Sequence, residues 1–262
     1  MSKEAVLYEK KGKIAIITIN RPEAMNAVNA EVWQGIGTAL DDYAEDQNLW
    51  CAIITGSGDR AFCAGADLKA VAKGEDIYPK GGEKWGFAGI VQHYINKPII
   101  AAVNGFALGG GTEIALACDL IVASEKATFG LPEVKRGIVA GAGGLLRLPR
   151  QLPLKVATEL IFTGRPMSPE EAKKWGLVNR VVPHEQLLEK AIELANEIIE
   201  NAPVAVSVSK EIVYRGLDVP LDHPSTAWEI NQEYMRRVME SEDSKEGPRA
   251  FAEKRKPQWV GR

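Results

Sequence analysis

Histidine and cysteine are scarce in this chain, with three of each among 262 residues. His93, His184 and His223 stand in no triad and no metal-ligand spacing, so each is expected at the surface or at a helix boundary. Cys51, Cys63 and Cys118 are odd in number and match no metal site. All three have apolar or small neighbours, which predicts reduced, packed thiols in a cytosolic setting. No Gly-x-Ser-x-Gly elbow is present, so serine hydrolysis lacks support. A basic excess is also missing, since 35 acids face 32 bases. That balance argues against nucleic acid as a partner, while leaving room for a local basic patch toward a phosphorylated ligand. No apolar run is long enough to span a bilayer, and Met1-Ser2-Lys3-Glu4 carries no signal-peptide core. The expectation is a soluble cytoplasmic protein without membrane or metal. Internal repeats and low-complexity tracts are absent as well.

What is present points to an α/β protein. The length suits one large domain with an appendage. Residues 5–9 and 14–19 alternate around Lys10-Lys11-Gly12-Lys13 and predict a hairpin. Asn29 precedes a helical pattern over residues 31–45. Short buried strands are expected at residues 52–56, 98–103 and 120–123. Residues 61–66 are expected as a loop, 74–86 as a mobile polar loop, 86–96 as a helix and 104–111 as a glycine-rich turn. Helices follow at residues 111–118, 143–152, 154–163, 169–175, 184–201 and 203–215. Repeated strand, glycine turn and helix imply right-handed crossovers and not a sandwich or an antiparallel barrel. Beyond residue 200 the chain turns almost wholly helical and more charged. This divides it into a core over residues 1–200 and a helical C-terminal subdomain over 201–262.

Three stretches carry chemistry. In the first, Gly109-Gly110-Gly111 opens a helix ahead of Thr112 and Glu113. Glycines let a ligand approach the backbone, and free amides at a helix start carry partial positive charge. Such amides suit a phosphate or a developing oxyanion. The spacing fits neither the Walker loop nor the dinucleotide fingerprint. Apolar company on both sides of Glu113 predicts partial burial, which raises a carboxyl pKa toward acid/base use. In the second stretch Glu133 follows Pro132, which predicts presentation at a turn, and Gly141-Ala142-Gly143-Gly144 lies just beyond. Two carboxylates on successive strand–loop units can converge on one cleft and move protons in both directions. The third, Phe62-Cys63-Ala64-Gly65-Ala66-Asp67-Leu68-Lys69, reads as a compact loop able to offer a second amide donor. Trp85 and Phe87 are open to two readings, acyl-pocket lining or packing. The acid-rich run over residues 240–246 reads as a solvated face.

Taken together, these stretches resemble the crotonase (enoyl-CoA hydratase/isomerase) family in order and spacing. Residues 62–69 resemble its first CoA and oxyanion loop and residues 105–113 its second. Residues 129–133 with 141–144 resemble the loop bearing the other acid. Residues 164–182 and 241–255 resemble two further family segments, so the likeness covers nearly the whole chain. The resemblance implies a repeated ββα spiral core with a C-terminal helical subdomain. It implies that the Ala66 and Gly110 amides hold the thioester oxygen, with Glu113 as base toward water and Glu133 as acid toward the α-carbon. Ala64, Ala66, Asp67, Leu68 and Lys69 match positions near CoA. Phe251 and Lys254 match a C-terminal helix that closes over CoA, in the family sometimes on a neighbouring subunit.

No cofactor is implied, since coenzyme A arrives as part of the substrate. The resemblance further implies an acyl-CoA partner, a homotrimer or dimer of trimers, and 2-enoyl-CoA hydration. Carnitinyl-CoA dehydration, enoyl-CoA isomerisation or a non-catalytic CoA- or RNA-binding scaffold are the alternatives. Having both glutamates favours water addition or removal. Residues 86–89, 145–150 and 247–262 are similar to the carnitinyl-CoA dehydratase branch. Ala66 and Ala140-Gly141-Ala142 depart from it, where that branch has a bulkier residue and Pro-Asp-Ser.

Overall fold

The computed structural model of the chain describes residues 4–74, 76–221 and 226–262. The chain opens with an antiparallel hairpin of β1 (Val6–Lys11) and β2 (Ile14–Ile19). Helix α1 (Ala30–Glu45) follows, its first turn capped by the Asn29 side chain, which accepts from the Val32 amide at 3.0 Å. Three similar units come next: β3 (Cys51–Gly56), β4 (Ala61–Cys63) and α2 (Leu68–Ala72), then β5 (Ile99–Val103), β6 (Phe106–Leu108) and α3 (Gly110–Ala117), then β7 (Leu120–Ser124), β8 (Thr128–Gly130) and, after a short 3-10 turn at Pro132–Arg136, α4 (Gly144–Gln151). Then come α5 (Leu154–Thr163), α6 (Pro169–Lys174), β9 (Arg180–Val182), α7 (Leu187–Ile199), α8 (Pro203–Gly216), α9 (Thr226–Glu240) and α10 (Glu242–Ala252).

Each unit sends its first strand to one sheet and its second to another. The large sheet runs β1-β2-β3-β5-β7-β9 and the small one β4-β6-β8. Apart from the hairpin, the pairings are parallel. The chain therefore winds as the expected repeated ββα spiral. Strand alternation divides the core. Ile14, Ile16, Cys51, Ile53, Ile100 and Val122 face Leu187, Ala191 and Leu194 of α7. Their neighbours Ala15, Ile17, Ala52, Ile54, Ala101 and Ala123 face a second cluster with α1 and the small sheet. The three cysteines are buried and unbridged, and burial pushes the Cys51 and Cys63 thiols up to about 12, which leaves them inert.

Several expectations fail for local reasons. Residues 61–66 and 104–111 were expected as a loop and a turn, yet Ala61–Cys63 and Phe106–Leu108 are strands. With Thr128–Gly130 they make the small sheet, and three residues are too few to display a period. Residues 86–96 do not form the expected helix. Gly86, Ala88 and Gly89 take positive φ (65°, 57° and 75°), so only a 3-10 turn at Phe87–Gly89 survives. The acid run over residues 240–246 is not simply solvated. Buried Asp243 accepts from the Val260 and Gly261 amides, and Glu246 pairs with Arg255.

Buried Asn26 ties the first crossover together. It accepts from the Arg21 amide at 2.9 Å and donates to the Ser57 and Ala61 carbonyls at 2.9 and 2.7 Å. Its φ of +54° is one that asparagine tolerates better than most residues. Asn26→Ala strands these groups, and thermal or urea unfolding should show a loss of about 3 kcal/mol.

Candidate active site

The small sheet aims three loops at one place. Its parallel register sets Cys63 beside Ala107, and Leu108 beside Gly130, so the chain leaves β4, β6 and β8 along a common edge. Ligands gather at such carboxyl ends of parallel strands. After β4 come Ala64, Gly65 and Ala66. After β6 come Gly109 and α3, and after β8 Leu131, Pro132 and Glu133. All of these except Leu131 line a cleft of about 730 Å³ that also exposes Glu113.

Close backbone contact holds the first two loops together. A side chain on Gly111 would collide with the Cys63 carbonyl, and one on Gly65 would stand 3.2 Å from the Gly110 nitrogen. Only glycine permits this approach. The Val28–Ala66 bridge uses the Gly65 carbonyl and the Asp67 amide, at 2.8 and 2.9 Å from Val28. The Ala66 amide is thereby turned away from Val28. Gly110 opens α3, where an amide has no carbonyl one turn back to bond. The Thr112 hydroxyl donates to the Ala107 carbonyl at 2.6 Å and accepts from the Gly130 amide at 3.0 Å. It staples α3 to both strand ends and so fixes the direction of the next residue, Glu113.

Glu113 is only 3% exposed, and its Oε1 accepts from the Gly144 amide at 2.8 Å, at the start of α4. Burial is the chief cause that lifts its pKa to about 6. The Gly144 and Ala142 amides oppose that rise, and the charge of Glu133 adds to it. Glu133 sits in the first turn of the 3-10 helix that Pro132 begins. Burial raises its pKa as well, against its own amide and the charge of Arg136. Its Oε2 is buried without a partner among the described residues, and its Oε1 lies against Gly109. The site therefore holds two carboxyls of raised pKa, one tethered by an amide and one with a free oxygen.

The other sequence-predicted residues divide. Ala64, Ala66 and Leu68 line the cleft. Asp67 instead caps α2 and pairs with Arg21 at 2.9 Å, while Lys69 lies on α2 outside the lining. Phe251 and Lys254 do not reach the cleft within one chain. Phe251 is 87% exposed on α10, and the tail after α10 packs Gly261 beside Trp50 and Pro203. Phe87 lines the cleft over Gly110 and packs edge-on against Trp33, whereas buried Trp85 donates to Asp41. Trp33, Tyr78 and Val139 also line the cleft and escaped sequence reading. Aromatic and β-branched residues give no signal of which cavity they face. His93 contacts Gly89 and Asp41, and His184 contacts Ser124, both as packing partners. His223 lies outside the described residues.

The enoyl-CoA hydratase/isomerase family matches residues 9–262. A carnitinyl-CoA dehydratase of Salmonella typhi is 45% identical over 99% of both chains. The solved enoyl-CoA hydratase of Mycobacterium tuberculosis is 46% identical with a TM-score of 0.93, covering 99% of this chain and 100% of that one. The carnitinyl-CoA hydratase of Mycobacterium avium is 49% identical with a TM-score of 0.80, covering 100% of each.

Glu113 carries a stability consequence. Its folded pKa of about 6 exceeds the ordinary carboxylate value, so its favourable contribution is complete below about pH 4.5 and lost as pH rises through 6. Glu113→Gln should therefore raise stability by about 2 kcal/mol at pH 7–8. The gain should fade toward pH 4.5, as read by thermal melts across pH.

Proposed function

Because the chain belongs to the enoyl-CoA hydratase/isomerase family, we propose that it adds water reversibly to the double bond of a 2-enoyl-CoA. The observation that carries this reading is the pair of raised-pKa carboxyls in one cleft with the Ala66 and Gly110 amides.

In the hydration direction the thioester oxygen rests on the Ala66 and Gly110 amides. Glu113, ionised, takes a proton from water as the water oxygen bonds to the β-carbon. The π electrons move to the α-carbon and the thioester oxygen. The enolate charge is met by two amides already in place, and a single such donor is worth roughly 3–4 kcal/mol. Glu133, protonated, then gives its proton to the α-carbon through the unpartnered Oε2. The two carboxyls finish with exchanged protonation states and reset through solvent. Dehydration runs the same steps backward, with the roles of acid and base exchanged. Burial serves both groups, because it makes Glu113 a stronger base and keeps Glu133 protonated to higher pH.

A second reading has a specific support. The curated relatives at 45% identity are named carnitinyl-CoA dehydratases, which perform the same bond change on a different acyl group. The glutamates are indifferent to that choice.

Loss of enoyl-thioester absorbance tests both readings with crotonyl-CoA, dodecenoyl-CoA and crotonobetainyl-CoA. Turnover of none of them, with CoA binding intact, would sink the hydratase reading. Glu113→Gln and Glu133→Gln should each lower kcat about 10²- to 10⁴-fold with little change in CoA affinity. In the pH profile, kcat/KM for hydration should be bell-shaped, because Glu113 must be ionised and Glu133 protonated at once, with one limb near pH 6. A variant with full activity, or a profile flat near pH 6, removes that residue from its role.

A further inference from the structure

Arg147 lies one turn into α4 and reaches back to the turn that begins the helix. Its amide donates to the Gly143 carbonyl at 2.8 Å. Its guanidinium returns to the same residue. Gly143 holds a φ of +103°, and a side chain there would collide with Arg147 Nη1. Arg147 Nη2 donates to the Val91 carbonyl at 2.7 Å. The residue after Gly143 is Gly144, whose amide donates to Glu113 Oε1 at 2.8 Å. Arg147 therefore joins two segments that meet at the cleft. One is the Gly143–Gly144 turn, which holds the Glu113 carboxyl. The other spans residues 85–93 and carries Phe87 over Gly110. Within it the Val91 amide donates to the Phe87 carbonyl at 3.2 Å, and the Gln92 amide to the Trp85 carbonyl at 2.9 Å. Arg147 thus grips a segment that is already tied together.

The Arg147 guanidinium is half-buried, and burial pushes its pKa down. Tyr214, Cys118 and Glu113 act on it in the other direction. The remaining charged groups around it are engaged with one another. Asp119 binds Lys210 and Tyr214, at 2.7 and 2.9 Å, Asp218 pairs with Arg150, and His93 contacts Asp41. Glu113 feels the Gly144 amide and the Arg147 charge, which favour the carboxylate, and the Glu133 charge, which opposes it. Arg147 does not line the cleft, so it reaches no reacting atom itself.

We propose that Arg147 is a positioning residue: by bracing the Gly143–Gly144 turn against Val91, it keeps the Gly144 amide on the Glu113 carboxyl. Its part in turnover rests on the hydratase reading, and its hold on Glu113 does not. Without the brace Glu113 loses an amide donor and a nearby cation together. Both losses disfavour the ionised form.

Arg147→Gln removes the charge and the fork. Arg147→Lys keeps the charge as a single point on a flexible stem. The limb of kcat/KM near pH 6, read with crotonyl-CoA, should move to higher pH by about half a unit or more in Arg147→Gln. In Arg147→Lys it should move the same way by less. A second readout needs no catalysis. Glu113→Gln is placed in the wild-type and Arg147→Gln backgrounds, and thermal melts are taken from pH 4.5 to pH 8. The stability gained from Glu113→Gln should climb to a higher pH, and level off at a larger value, in the Arg147→Gln background. An unmoved limb and identical melt profiles in the two backgrounds overturn the proposal. So does a loss of stability in Arg147→Gln that is uniform across pH, which a merely structural arginine would give. If Arg147→Gln fails to fold, Arg147→Lys decides on the same two readouts. If no enoyl-CoA is hydrated, the hydratase reading falls and the melts alone decide whether Arg147 positions Glu113.

Discussion

The contact between the start of α3 and the end of β4 governs the rest of the site. Gly111 passes over the Cys63 carbonyl, and Gly65 closes on the Gly110 nitrogen. This is backbone against backbone, with no side chain able to stand between. It brings the loop after β4 against the first turn of α3 and so fixes the floor of the cleft that both line. An added methyl at Gly111 would have to push the helix away from the strand. The glycine run thus specifies a distance between two secondary elements more than it specifies flexibility.

Tertiary placement then separates two chemically identical side chains. Glu113 is buried, yet anchored by an amide at the start of α4, so its pKa rises only to about 6. Glu133 leaves a strand through a proline turn and keeps one buried oxygen unpartnered. An unpaired buried oxygen is costly to a fold. Its presence beside a cleft is the kind of local conflict that marks a functional position. Thr112 offsets part of this by binding the ends of both β6 and β8, and no catalytic duty need be assigned to it.

Much of the fold was legible in the sequence. Helix α1 with its Asn29 cap and helix α5 show their periodicity openly, because each has one wet face, and the hairpin is marked by the turn at Gly12. The small sheet was hidden, since Ala61–Cys63, Phe106–Leu108 and Thr128–Gly130 are each three residues long and flanked by glycine or loop. Phe87 was an even choice between lining and packing, and the structure sends it to the cleft while Trp85 goes inward. Asp67 looked like a ligand position but spends its carboxylate on Arg21 and the α2 amides. Phe251 lies on α10 and Lys254 in the turn just past its end, both away from the cleft of their own chain.

The sequence by itself determined which groups were available. It specified the two glutamates, the glycines that allow backbone contact, the proline that begins the Glu133 turn, and the order of strand, turn and helix. These are local properties, set by what each residue's backbone and side chain permit. Only the tertiary structure decided which groups meet and how deeply Glu113 is buried. Those depend on the spiral bringing residues dozens of positions apart to the same strand ends. Burial, and with it pKa and cavity shape, is a property of the surroundings and not of any residue alone.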